Sequence, residues 1–146
     1  MLTKGEFLKV FGIAILNYNN YKATERCISS ILTSDINYEY EIAILDNGSS
    51  NDSYDILNNY YDGYNNINVI KNNINVGFGA GNNILIEYFM NKGIKYCLLT
   101  NSDIVFKKDS IQILLNDIAN NDKCVICGPK IVDMQNRLMP SSMIFP

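Results

Sequence analysis

The alternation of two apolar patterns along the chain constrains the fold most strongly. Short runs rich in isoleucine, valine and leucine predict buried strands at 10–16, 41–45, 67–71, 96–100 and 123–127. Segments with apolar residues at helical spacing lie between these runs, at 22–32, 51–61, 79–92 and 109–120. Alternation of this kind predicts a mostly parallel sheet with helices on both faces. The expected fold class is therefore α/β, a three-layer Rossmann-like sheet.

Length and hydropathy predict one globular domain. With 146 residues, 47% of them apolar, the chain can bury a substantial core. We place the domain at 1–146, with its core at about 10–133 and an irregular tail at 134–146, after a short candidate strand at 130–133. The amino terminus lacks the apolar stretch of a secretory signal, and no apolar run reaches the roughly 18–20 residues of a transmembrane segment. These features predict a location in the cytoplasm or at the inner face of the membrane.

Composition excludes several functional classes. The formal net charge is −3 and the only arginines are Arg26 and Arg137, which argues against a nucleic-acid partner. The sequence has no histidine, so Ser-His-Asp and Cys-His nucleophiles and histidine-ligated metals are ruled out. Cys124 and Cys127 have the spacing of a zinc pair, but no second pair follows them. We interpret these two cysteines as structural residues of the fifth strand.

Polar side chains follow the predicted strands where each strand ends. In open parallel sheets, ligands bind outside the carboxyl ends of the strands. Each such residue alone is an ordinary turn former, and asparagine is so frequent in this chain that a single one carries little information. Their recurrence on one edge nevertheless predicts a polar binding cleft. The residues are Asn17 and Asn19, then Asp46 and Asn47, then Lys71, then Asn101, Ser102 and Asp103.

A glycine cluster at 77–81 leads into the third predicted helix. The exposed N–H groups of such a helix start favour anionic ligands, although a tight turn explains the glycines equally well. The cluster does not fit G-x-G-x-x-G, because position 82 is asparagine, so a nicotinamide or flavin site is disfavoured. Asp103 could hold Mg²⁺ together with the phosphates of a substrate, or could simply terminate its strand.

Taken in order, five segments resemble the family 2 glycosyltransferases of the GT-A fold. They are I-L-N-Y-N at 15–19, I-L-D-N-G-S-S-N-D at 44–52, N-I-N-V-G-F-G-A-G-N-N at 73–83, L-L-T-N-S-D at 98–103 and G-P-K-I at 128–131. The fourth segment resembles the D-x-D metal motif of the family in an N-x-D form, and the last resembles rhamnosyltransferase-like members. The resemblance extends from position 11 to about position 133.

The resemblance implies an inverting glycosyltransferase that takes its sugar from a nucleotide-diphosphate donor and adds it to a glycan or lipid-linked acceptor, as in polysaccharide biosynthesis. It implies that Asp103 holds a divalent metal, Mg or Mn, and that Asp46 contacts the base or ribose. The residues that it assigns to the nucleotide-sugar are Asn17, Asn19, Asp46, Asn47, Lys71, Gly77, Asn101 and Ser102.

Two departures from the family pattern matter. Asn101 stands where the first aspartate of D-x-D is expected. The catalytic base and the acceptor-binding half of the family lie beyond the last residue, so we expect the chain to be the donor-binding portion of a longer enzyme, with no assigned base. A non-catalytic nucleotide-binding or assembly module is the alternative, and either could form a homo-oligomer. A response-regulator-like domain is disfavoured, because paired acids do not follow the first strand.

Overall fold

The computed structural model describes residues 10–133 and 135–139. Four parallel strands form a sheet in the order β3-β2-β1-β4, and four helices lie between or after them. The strands are β1 (Val10–Asn17), β2 (Glu39–Asn47), β3 (Ile67–Asn72) and β4 (Cys97–Asn101). The helices are α1 (Tyr21–Leu32), α2 (Ser53–Tyr61), α3 (Phe78–Asn91) and α4 (Ser110–Asn120). The predicted α/β class and its parallel sheet are confirmed.

The sheet is buried on both faces, which explains why its central strands are almost continuously apolar. Alternate residues of β1 point to opposite faces, so Ile13 and Ile15 enter one core cluster and Ala14 enters the other. The larger cluster also receives apolar residues of α1, α2 and α4, whereas Leu85 and Phe89 of α3 cover the second face. The molecule therefore has the three predicted layers.

The predicted fifth strand is wrong. Residues 123–127 form no strand, and Val125 and Ile126 are 86% and 89% exposed. An apolar run forms a strand only where its backbone can hydrogen-bond to a neighbouring strand. This segment instead follows α4 and begins in a turn. The Cys127 thiol approaches the carbonyl oxygen of Leu114 at 3.8 Å. Cys124 and Cys127 are thus half-buried loop residues.

The region after this loop has only a little regular structure. The candidate strand at 130–133 is reduced to an isolated antiparallel bridge between Val132 and Leu138. Asp133 and Arg137 close the turn between them through an ion pair of 2.6 Å. Of the predicted tail, 134 and 140–146 lie outside the described residues. Within the described ranges, no helix combines the length and the hydropathy that crossing a membrane would require.

Candidate functional site

The sheet brings the ends of its strands together at one edge. Asn17 lies opposite Asp46 in the register of β1 and β2, and Asp46 in turn lies opposite Lys71 of β3. On the other side of β1, Leu16 lies opposite Asn101 of β4. The order of the strands reverses at β1, because β2 and β3 lie on one side of it and β4 lies on the other. Open α/β sheets bind ligands at such a reversal point, which here lies between β1 and β4.

Asp46 and Asp103 therefore belong to the same edge of the molecule. Their strands flank β1, so the backbones of the two strand ends are about 10 Å apart. Asp103 follows Asn101 by two residues and is exposed, whereas the whole Asp46 residue is only 1% exposed. One carboxylate is thus open to a ligand and the other is covered by protein.

The carboxylate of Asp46 is occupied by neighbouring donors. Asn17 Nδ2 donates to its Oδ2 at 2.8 Å, and the Ser49 hydroxyl donates to the same oxygen at 2.6 Å. The backbone N–H of Ser49 donates to Oδ1 at 3.0 Å. Thr24 completes the group by donating its hydroxyl to Asn17 Oδ1 at 2.8 Å. These hydrogen bonds fix the buried Asp46 side chain, so Asp46 ties the end of β1 to the loop after β2.

Asn19 joins the loops that follow β1 and β2. Its backbone is in the left-handed region, with φ of 55°, a conformation that asparagine tolerates better than most residues. Its N–H donates to Ser49 Oγ at 2.8 Å, and its Oδ1 accepts from the Ser50 N–H at 2.8 Å. Asn51 Nδ2 donates to the Asn19 carbonyl at 3.1 Å. Ser49 and Thr24 also belong to this network but were not predicted from the sequence, although Ser49 lies in the quoted D-N-G-S segment.

Asn47 is also buried, and it contacts the loop at residues 73–77, which we call the β3–α3 loop. Its Nδ2 donates to the carbonyl oxygen of Gly77 at 3.3 Å. Gly77 has φ of 86° and caps the start of α3. Glycine adopts this positive φ without steric cost, which accounts for the residue type at this position. Asn47 and Gly77 are therefore brought together at the predicted edge.

Lys71 is positioned differently from the other predicted residues. It lies at the end of β3, but its ammonium group is 4.5 Å from the ring centroid of Tyr54 on α2. A cation over an aromatic face is stabilised by the ring quadrupole. The structure thus directs the charge of Lys71 toward α2.

The end of β4 carries the candidate metal ligand. Asn101 and Asp103 are exposed and Ser102 is half-buried. Cys27 lies beneath this end and donates its thiol to the Asn101 carbonyl at 3.7 Å. Burial, with a smaller effect of the Asp103 carboxylate, raises the pKa of the Cys27 thiol to about 12. Cys27 is therefore a neutral structural thiol.

The oxygen atoms available at this strand end suit a hard cation. A carboxylate at Asp103 and neutral oxygens at Asn101 and Ser102 are ligands that Mg²⁺ or Mn²⁺ accepts. In the part of the chain that the structure describes, no group of three or more His, Cys, Asp or Glu side chains could hold a metal ion. With one protein carboxylate at this strand end, a hard cation there would need further oxygens, such as those of a phosphate.

A cavity of about 430 Å³ lies at the opposite, amino-terminal edge of the sheet. It is lined by Tyr38, Glu39, Tyr40, Glu41, Asn65 and Asn66. These residues precede or begin β2 and β3, so the cavity is separate from the candidate site.

Comparison with known proteins decides the family. The family model described as "Glycosyl transferase family 2" matches residues 12–145. The chain belongs to this family. It is 32% identical over 133 residues to the poly(ribitol-phosphate) beta-glucosyltransferase of Bacillus spizizenii, a match that covers 90% of this chain and 20% of that protein.

Two solved structures share the fold of this family 2 chain. The S. aureus TarS 1-349 structure in complex with UDP-GlcNAc has a TM-score of 0.62 and 21% identity, covering 75% of this chain and 31% of that one. The mannosyltransferase PcManGT of Pyrobaculum calidifontis, in complex with GDP-Man and Mn2+, has a TM-score of 0.59 and 14% identity, covering 76% and 31%. The chain thus spans a fifth of its curated relative and about a third of each solved chain.

Proposed function

We propose that this family 2 chain binds a nucleoside-diphosphate sugar at the carboxyl edge of its sheet and forms the donor-binding part of an inverting glycosyltransferase. The observation that carries the proposal is the arrangement at the reversal point. Buried Asp46 and Asn17 organise one side of that point, and exposed Asp103 lies on the other. The UDP-GlcNAc complex of a structural relative supports a uridine donor.

In this proposal, Asp46 acts on the nucleotide mainly through the loops that it holds. Its carboxylate already accepts from Asn17 and Ser49. The exposed Asn19, which the Ser49 hydroxyl anchors, then offers its Nδ2 group to the base or ribose, since its other polar atoms bond to the loop after β2. Asn17 is also buried, so in this proposal it supports the donor site through its hydrogen bond to Asp46.

Asp103 would hold a divalent metal, Mg or Mn, with Asn101 and Ser102 as neutral neighbours. When bound, such an ion neutralises charge that develops on a leaving nucleoside diphosphate. Because position 101 contributes no charge, Asp103 carries the electrostatic attraction of the protein for the ion. The Mn2+ and GDP-Man complex of a protein with the same fold supports the use of a divalent metal.

The transfer itself requires a carboxylate that deprotonates the acceptor hydroxyl as it attacks the anomeric carbon. We assign no described residue to this role, so we propose donor binding with little or no transfer by this chain alone. A glycan or lipid-linked acceptor remains our prediction, as do the rhamnosyltransferase-like specificity, the location at or near the inner membrane face and any homo-oligomer.

Calorimetry with UDP and dTDP, each with and without Mn²⁺, tests the proposed function. We expect the wild-type chain to bind one nucleotide in a metal-dependent manner, and Asp103→Ala to lose at least about tenfold in affinity, because it removes the charged ligand. Asp117→Ala is the matched control, since it removes an exposed carboxylate from the far half of α4. Absence of nucleotide binding by the wild-type chain, or equal binding by Asp103→Ala, contradicts the proposal.

A further inference from the structure

The cavity at the amino-terminal edge of the sheet exists because β2 begins before β3. Ile42 is the first residue of β2 that pairs with β3, so residues 39–41 have a neighbouring strand only on their β1 side. Tyr38, Asn65 and Asn66 line the cavity from the segments that lead into the two strands. Its volume of about 430 Å³ lies within the range of small-molecule sites, about 300–1,000 Å³.

Two tyrosine rings of the cavity lining are fixed by the core. Tyr38 and Tyr40 are half-buried and pack against the larger core cluster. The centroid of the Tyr40 ring lies 5.8 Å from that of the Phe11 ring. Because the core already holds these rings, little freedom is lost when a ligand contacts them. They therefore form preorganised contact surfaces.

Several polar groups of the lining are not used by the protein itself. The hydroxyls of Tyr38 and Tyr40 have no hydrogen-bond partner among residues 10–133 and 135–139. The same is true of the Glu39 carboxylate and the Asn65 side-chain amide. Burial raises the pKa of the Tyr40 hydroxyl, so this phenol is neutral near pH 7 and can both donate and accept. The cavity thus offers free donors and acceptors beside two aromatic rings.

The charges of the lining argue against an anionic ligand. Glu41 is compensated, because Lys92 Nζ lies 2.5 Å from its Oε1. Glu39 is exposed and has no such partner in the described part of the chain, which leaves one uncompensated negative charge. The residues that line the cavity include no lysine or arginine. A phosphate or carboxylate would therefore be repelled, whereas a sugar hydroxyl can donate to the Glu39 carboxylate.

An added peptide strand fits this open edge less well than a saccharide does. Strand addition uses the free backbone groups of an edge strand. Here only residues 39–41 extend past β3, and the Tyr40 carbonyl already accepts from Asn66 Nδ2 at 3.5 Å. The free groups of the cavity are instead side-chain donors and acceptors beside aromatic rings. A neutral sugar matches both, because it carries hydroxyls and also apolar C–H surfaces that lie against a ring.

We infer that this cavity binds a neutral saccharide chain and is a second ligand site, separate from the donor edge. β2 has nine residues, so the cavity and the donor edge are about 25–30 Å apart at about 3.3 Å per residue. A glycan of several sugar units that is held at the cavity is long enough to reach the donor edge. This role as an anchor for an acceptor glycan rests on the proposed function, whereas saccharide binding itself does not.

An NMR titration of the isotope-labelled chain tests the inference. The probes are three neutral tetrasaccharides, built of glucose, of mannose and of N-acetylglucosamine, each added without nucleotide or metal. We expect at least one of them to bind with a Kd in roughly the millimolar range and to shift the amide signals of 38–41 and 65–66. If none of the three produces a saturable shift at these residues, the inference is wrong. Tetramethylammonium is the cationic comparison, and shifts with this ion but with no saccharide also overturn the inference.

Two variants show whether the lining carries the binding. Tyr38→Ala removes an aromatic ring and Glu39→Ala removes the free carboxylate, and each should weaken saccharide affinity by roughly tenfold. Tyr60→Ala is the matched control, since Tyr60 is 63% exposed on α2 and does not line the cavity. If Tyr38→Ala does not fold, Glu39→Ala decides alone, because Glu39 is exposed. Wild-type affinity in either folded variant contradicts the inference.

Nucleotide added to the same titration separates this inference from the proposed function. UDP with Mn²⁺ should leave the saccharide affinity unchanged, and Asp103→Ala should bind the saccharide as wild type does. Displacement of the saccharide by UDP would locate it at the donor edge and overturn the inference. A wild-type chain that binds a saccharide at the cavity but no nucleotide refutes the proposed function and leaves the saccharide site intact.

Discussion

Replacement of Asp46 by alanine should destabilise the fold by about 3 kcal/mol. The substitution removes the acceptor of three hydrogen bonds, from Asn17 Nδ2, the Ser49 hydroxyl and the Ser49 N–H. Asn17 is fully buried, so its amide is left with a poor partner at a cost of about 1–3 kcal/mol. Ser49 is only half-buried and can bind water, which limits its share to about 1 kcal/mol.

Urea unfolding measures this loss directly. With an m-value of about 2 kcal/mol/M, the midpoint should fall by about 1.5 M. Asp46→Asn keeps one acceptor oxygen, so its midpoint should lie between those of wild type and Asp46→Ala. The matched control is Asp52→Ala: Asp52 is exposed and its side chain makes no capping hydrogen bond to α2, so its loss should stay below about 0.5 kcal/mol. Equal midpoints for Asp46→Ala and Asp52→Ala would refute the assignment of Asp46 as the residue that ties the loops together.

Two further predictions concern Gly48 and Cys27. Gly48→Ala should destabilise the protein more than Gly63→Ala in urea unfolding. Both glycines have positive φ, and a side chain in that conformation costs about 1–2 kcal/mol. Of the two, only Gly48 is also close enough for an added Cβ to meet the backbone of Ile74. Equal losses would contradict the close approach of the loop. Burial raises the pKa of Cys27 from 9.0 to about 12, so the folded state binds the thiol proton more tightly than the unfolded state. The contribution of this thiol to the free energy of unfolding is complete below the unfolded pKa and is lost as the pH rises toward the folded pKa. Between about pH 9 and about pH 12, wild type should therefore lose more stability than Cys27→Ala. Urea unfolding at a series of pH values measures the difference. Parallel pH profiles would show that the thiol is not buried in this way.

The asparagines show how much of the candidate site could be predicted from the sequence. Its high frequency makes any single asparagine uninformative in the sequence, yet Asn17, Asn19 and Asn47 each have a defined role at the strand ends. Each bridges elements 28 or more positions apart in the chain, for example the pair Asn17 and Asp46. Such contacts depend on the sheet register, which short-range patterns do not encode. The sequence therefore indicated that these residues share one edge of the sheet, but not which of them are exposed and which are buried.

The fifth strand shows the same limit in the fold. Its run of valine, isoleucine and cysteine is as apolar as the runs that became β1 and β4, but Val125 and Ile126 are exposed. Period and propensity describe what a segment can bury, whereas a strand also needs a neighbour that offers backbone hydrogen bonds. Only the three-dimensional arrangement shows whether that neighbour is present.

The sequence by itself determined the alternation of strands and helices, the parallel sheet, the edge that carries the polar residues and the glycosyltransferase family. These follow from local periodicity and from motifs that are contiguous in the chain. The tertiary structure alone decided that Asp46 and Asn47 are buried organisers, that Lys71 turns to Tyr54 and that Asp103 is open to solvent. The physical reason is that burial and hydrogen-bond partners are properties of packed neighbours, and those neighbours come from distant parts of the chain.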